Sequence, residues 1–293
     1  MASDALSTRI KAQLNVLLGA VGLQIGTTAE LTVERARVRS LQAGDHWRKA
    51  RYDQGLRFDD EKHLQFLRET CLPYKSSYAN FARSPNGNDQ EFYLDNGYFR
   101  SIDAELLYSV IRRYRPKHII EVGSGFSTRL MARAIREEKG HTTITSIDPE
   151  PRVPMSAWVT EQILAGVENM NPDLIVDSLG EGDVLFIDSS HSVLVGGDVP
   201  FLFLEVLPRL KAGVLIHIHD IFLPFDYPEE WTLNGWYWTE QYLVHAFLAF
   251  NHAFEILWPA RYMWAYHESA VANVIPAEAS IIPPSSLWLK KVS

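Results

Sequence analysis

The chain has 293 residues, of which 46% are hydrophobic and 22% charged, and its formal net charge is −8. Those proportions supply enough apolar surface for a core. The acidic balance argues against a protein whose work is gripping nucleic acid, which needs a basic face. The single cysteine, Cys71, excludes an intrachain disulfide framework and a cysteine zinc cluster. It has no neighbour suited to activate it and is expected to be a packing residue in a reducing, cytoplasmic setting.

Residues 1–94 are expected to form a helical N-terminal extension or cap, and residues 95–293 the main domain. LNVLLGAVGLQIG, residues 14–26, has the length of a signal-peptide apolar region. Asp4 spoils the basic start such a peptide needs, and no small-x-small site follows, so an amphipathic or capping helix is expected. No run approaches the ~20 apolar residues that span a bilayer. TTAELTVERARVRSL carries a Thr cap signal and mixed charge, which predicts a helix. Residues 46–100 show no clear periodicity, and SPNGNDQE at 84–91 is a loop by composition. SIDAELLYSVIRRYRP, 101–116, has helical spacing and is ended by Pro116.

From here the pattern alternates. Strands are predicted at 118–123, 142–148, 172–178, 183–190 and 214–220, with helices at 127–140, 155–170 and 198–213. A further helix is expected at 239–252 and a strand at 254–259. Short apolar runs separated by helices predict an α/β fold with a doubly wound, mostly parallel sheet. Ligands of such sheets sit at the carboxyl ends of the strands. That rule selects Glu121 to Gly125, Ile147-Asp148, Asp188 to His191, and His219-Asp220.

EVGSGFSTRL at 121–130 is a glycine loop. It lacks the Lys-Ser/Thr of an ATPase phosphate loop. The third glycine of a dinucleotide loop is replaced by Thr128. Glu121, ahead of the glycines, would oppose a diphosphate but suit an ammonium or sulfonium. Asp148, at the second strand's end, can accept from two ribose hydroxyls. A turn without a ligand, and a cap or turn role for Asp148, remain the plain alternatives.

IIEVGSGFSTRL, TSIDPEP, DVLFIDSSH and LPRLKAGVLIHIHD, taken in order, resemble the motifs of class I S-adenosylmethionine-dependent methyltransferases, and more narrowly the bacterial small-molecule and sugar O-methyltransferase branch. The resemblance covers about residues 95–260. It implies a Rossmann-like fold and S-adenosylmethionine as cofactor. Glu121, Gly123, Ser124 and Gly125 would contact the methionine part, with help from Ser127, and Asp148 would hold the ribose. Asp177 and Ser178 are the candidates for the adenine.

Methyl transfer to a hydroxyl requires positioning and removal of a proton. His191, with an ordinary pKa of about 6.5, is the candidate base. Related macrolide-sugar O-methyltransferases hold a divalent metal with acids at two strand ends and carry a histidine three residues after the first acid. Asp188, His191 and Asp220 match that arrangement. His219 stands where those enzymes have another acid, so the implied metal set is Asp188, His219 and Asp220, for magnesium, a softer cation or none. His217 is expected to be a structural histidine. The segment 221–242 holds three of the eight tryptophans and is expected to be a lid or acceptor wall, with Tyr227 and Trp231 as candidate lining; a core or subunit interface is the alternative. The partner expected is a small-molecule acceptor, a sugar or polyketide-like metabolite, with a homo-oligomer left open. A silent binding protein on the same fold, and a nucleotide-dependent oxidoreductase, are the rival functions.

Overall fold

The computed structural model describes residue 14, residues 28–276 and residues 283–293, apart from residues 86, 88–90, 153, 154 and 156. The apolar run 14–26 therefore lies almost wholly outside the described residues. A seven-stranded sheet runs in the order β3-β2-β1-β4-β5-β7-β6. Its strands are β1 (His118–Val122), β2 (Thr143–Ile147), β3 (Glu161–Ile163), β4 (Val184–Ile187), β5 (Leu215–Ile218), β6 (Phe254–Pro259) and β7 (Leu287–Lys291). The first five pair in parallel, and β7 lies antiparallel between β5 and β6. Helices cover both faces, so the central strands bury both sides and read as continuous apolar runs. The period of two is still visible in the packing. Ile119 faces a core with Leu106, Leu107, Leu130 and Met131, whereas Ile120 and Val122 face a second core with Leu185, Ile187 and Val206. This is a doubly wound α/β fold of Rossmann-like form, and its strand order reverses between β1 and β4.

The helix Asp103–Tyr114 leads into β1, and Phe126–Glu138 follows it. The pair is tied by Arg112 Nε donating to Glu138 at 2.8 Å. Before them, the helix Asp60–Cys71 buries Leu67 and Cys71 in the same core, joined by Tyr78, Phe81 and Phe92. Burial pushes the Cys71 thiol well above its ordinary range, which makes it inert.

Two predicted elements are reversed. Among the described residues of 155–170 there is no α-helix. Glu161–Ile163 pairs with β2 as an edge strand, Gly166 is extended, and a 3₁₀ turn follows at Val167–Asn169. Sheet pairing here overrides helical spacing. Residues 172–178, predicted as a strand, form a helix. The Asn171 side chain caps it by accepting from the Asp173 N–H at 3.0 Å, and Pro172 occupies its first turn. The helical run predicted at 198–213 is split into an α turn, a π segment Leu202–Val206 and a 3₁₀ turn Leu207–Arg209 containing Pro208, which has no N–H to continue the ladder. The helix Ala260–Val274 and strand β7 gave no clear signal in sequence.

Candidate active site

The glycine loop is shaped by contact with the neighbouring strand tip. Gly123 has φ +79°, and a Cβ there would come within 2.2 Å of the Asp188 carbonyl oxygen. Only glycine fits. Gly123 N–H donates to Ile147 O at 3.0 Å and Asp188 N–H to Val122 O at 2.9 Å, so the tips of β1, β2 and β4 form one unit. Thr128, in the place of a third glycine, is fully buried. It accepts from Gly125 N–H at 3.0 Å and donates to Glu121 Oε2 at 2.7 Å. Ser127 Oγ donates to Glu121 Oε1 at 2.7 Å.

Glu121 itself is fully buried, and it is not part of the cleft wall. Burial pushes its pKa up to about 8, against the two hydroxyl donors and with Asp188 and Asp148 adding to the rise. At neutral pH it is largely protonated. The Glu121 side chain ties strand to helix beneath the loop through the Ser127 and Thr128 hydroxyls. Asp148 does face the cleft. Its Oδ2 accepts from Ser124 N–H at 2.9 Å and Ser124 Oγ at 2.6 Å, and its Oδ1 accepts from Glu150 N–H at 2.9 Å.

The cleft is about 1040 Å³ and extends from this loop to the tips of β4 and β5. There the structure brings Asp188, His191 and Asp220 together, with one ligand atom from each lying within 4.8 Å of the others. His191 Nε2 is 3.2 Å from Asp188 Oδ1 and 3.7 Å from Asp220 Oδ2. Its Nδ1 is 2.8 Å from Glu240 Oε2. Burial would lower the His191 pKa, but Asp188, Glu240 and Asp220 outweigh it and hold the ring well above its ordinary value. Asp188 is correspondingly held down to about 2: burial opposes this, and the hydrogen bond and charges of the histidines prevail. His191 and Asp220 both take positive φ, +57° and +54°, a strained state for non-glycine residues at a functional site. Two carboxylates at neighbouring strand tips suit a hard divalent cation, and the imidazole stands between them.

His219 is the exception among the expected ligands. It lines the cleft, but its Nε2 reaches only to 3.7 Å from Asp220 Oδ1, and its ring packs against Phe99. It is outside the three-donor cluster, because its ring leaves the strand on the Phe99 side. His217 stacks on Phe186 at 4.1 Å between centroids and is fully buried, a neutral packing ring. Asp177 and Ser178 are exposed on the helix Pro172–Ser178 and do not reach the cleft; Gly166, Val167 and Glu168 line that side instead. Trp231, Trp236 and Trp238 line the cleft, and Trp238 stacks on His191 at 4.1 Å. Tyr227 is buried behind them, its hydroxyl accepting from Gln241 N–H at 3.0 Å.

A family model described as a methyltransferase domain matches residues 120–221, from the middle of β1 to just past β5. Residues 120–221 are thus similar to a methyltransferase domain. An uncharacterized protein of Archaeoglobus fulgidus is 37% identical over 96 residues, a stretch covering 31% of this chain and 39% of that relative. Among solved structures, the chain is similar to the SAH-bound methyltransferase PaMTH1 of Podospora anserina, at 15% identity and TM-score 0.41, covering 93% of this chain and all of that one. It is also similar to CmcI with SAH, at 14% identity and TM-score 0.41, covering 74% of this chain and 91% of that one.

The methyltransferase domain as matched contains the glycine loop, Asp148 and the Asp188–His191–Asp220 cluster. Three residues that complete the site lie outside it and were missed in the sequence, Asp103, Glu240 and Ser285; Trp238, also outside it, belongs to the tryptophan segment expected as an acceptor wall. Ser285 Oγ donates to Asp220 Oδ1 at 2.9 Å, and Asp103 holds Ser285 in turn through its N–H at 2.8 Å. Asp103 and Glu240 each open a helix, where an acid is ordinary. No local signal distinguishes them.

Proposed function

We propose that this protein transfers a methyl group from S-adenosylmethionine to an oxygen of a small-molecule acceptor. The observation that supports this reading most is the sharing of one cleft by the Gly123–Gly125 loop with Asp148 and by the Asp188–His191–Asp220 cluster. When bound, the cofactor would supply an electrophilic methyl group, and a divalent cation would lower the acceptor's pKa and orient it.

The chain's own residues have separable tasks. Gly123 lets the loop backbone approach the ligand, while the amides of Ser124 and Gly125 are taken by Asp148 and Thr128. Asp148 would take the ribose diol. One acceptor position remains on its Oδ1, and holding both hydroxyls requires the Ser124 hydroxyl to turn away from Oδ2. Asp188 and Asp220 would hold the cation. His191 Nε2, between them, would take the acceptor's proton. Trp231, Trp236 and Trp238 give the acceptor a flat apolar wall. Leu194 and Val195 extend an apolar rim outward, Leu194 being 61% exposed and Val195 fully so. That suits a hydroxylated metabolite with a planar or apolar body.

Isothermal titration tests the reading. The protein should bind S-adenosylmethionine and SAH, and Asp148→Ala should weaken both by about 1–3 kcal/mol. Asp188→Asn and Asp220→Asn should lose Mn(II) binding and retain SAH. Absence of SAH binding by the parent protein would favour a silent binding protein. Binding of NADH instead would favour an oxidoreductase.

A further inference from the structure

Three consecutive residues far from the cluster in sequence converge on His191. Trp238 lies flat on its ring at 4.1 Å. The backbone N–H groups of Thr239 and Glu240 donate to its carbonyl oxygen at 2.8 and 3.1 Å. The Glu240 carboxylate reaches its Nδ1 at 2.8 Å, and Glu240 is fully buried. The main chain of His191, in the left-handed region at φ +57°, is thus held by a helix start, while its side chain is held on a face and on one nitrogen. A buried carboxylate on one ring nitrogen fixes the tautomer and aims the other nitrogen. Here the other nitrogen, Nε2, is the one that faces Asp188 and Asp220.

We infer that Glu240 is a positioning residue for His191: it keeps the proton on Nδ1 and directs Nε2 into the cleft toward the acceptor oxygen. The inference rests on the proposed function only for what His191 does with Nε2; the tautomer and the ring orientation follow from Glu240 whatever the reaction. Glu240 does not touch the reacting atoms. It is the orienter of a base–orienter pair, contributed by the chain beyond the matched residues 120–221.

The test uses the full chain labelled with ¹⁵N-histidine, with the His191 signals assigned from a His191→Asn spectrum. The parent protein should show a slowly exchanging, strongly downfield Nδ1–H proton. Glu240→Gln, which keeps an accepting oxygen but no charge, should move that proton upfield. Glu240→Ala should lose it and bring both ring nitrogens into exchange. SAH affinity should stay within twofold for Glu240→Gln, which shows that the fold is intact while the ring proton moves. A parent spectrum with the proton on Nε2 alone, or His191 shifts unchanged in both variants, overturns the inference. If Glu240→Ala does not fold, Glu240→Gln still decides the matter. Failure of the parent to bind SAH would overturn the proposed function while leaving the ring signals to decide this one.

Discussion

A side chain at position 123 would have nowhere to go: it would strike the Asp188 carbonyl oxygen at 2.2 Å from a backbone already at φ +79°. Gly123→Ala should therefore cost at least ~2 kcal/mol of stability and abolish SAH binding, both readable by thermal unfolding and calorimetry. An alanine variant with parental melting and affinity would contradict the close approach of the two strand tips. Glu121, two residues earlier, gives a pH prediction. Its folded-state pKa is about 8, above its ordinary value of 4.5. The native state thus binds this proton more tightly than the unfolded chain does, and stability falls as pH rises from about 4.5 to about 8. Glu105, fully buried and raised to about 7, adds in the same direction. Glu121→Gln removes the ionisation and should flatten the decline of Tm between about pH 5 and pH 8, with a gain of order a few kcal/mol at the alkaline end. Parallel Tm profiles for parent and variant would show that the carboxyl is not titrating in that window. The Glu in EVGSGFSTRL stands out in sequence as a candidate. That it points beneath the loop is not legible there, because the decision rests with the Ser127 and Thr128 hydroxyls.

At the scale of elements, the segment Ser285–Ser286 before β7 is a strap. Asp103 accepts from Ser285 N–H at 2.8 Å, from Ser286 N–H at 3.2 Å and from the Ser286 hydroxyl. Ser285 Oγ then fixes Asp220. Asp103→Ala leaves these donors buried and unpaired, at a cost of about 2–4 kcal/mol. It should also weaken Mn(II) binding while Ser124 and Asp148 still serve SAH. Loss of stability with unchanged Mn(II) affinity would separate the strap from the cluster. The elements misread in sequence fail for related reasons. Residues 155–170 carry helical spacing, yet a short stretch finds a free sheet edge at β2 and takes those hydrogen bonds. Residues 172–178 are apolar enough for a strand, but Asn171 and Pro172 cap a helix that buries only Ile175 and Val176.

For the molecule as a whole, β7 lies antiparallel between β5 and β6. Deleting residues 283–293 would expose two strand edges and remove Ser285 with them. The truncated chain should aggregate, which size-exclusion chromatography would reveal; a soluble monomer with parental circular dichroism would show that the sheet closes without β7. Among the described residues no helix is long and apolar enough to cross a membrane. The alternation of apolar runs and helices determined the doubly wound class, and the rule of strand ends determined which polar residues to examine, since both depend on spacing along the chain. Asp188, His191 and Asp220 were legible for that reason. The absence of His219 from the cluster of Asp188, His191 and Asp220, the turning of Glu121 away from the cleft, and the service of Glu240, Asp103 and Ser285 were decided only in three dimensions. The turning of Glu121 rests on the nearby Ser127 and Thr128 hydroxyls; the others depend on a hydrogen bond or a packing contact between segments remote in sequence, and no local pattern records such a meeting.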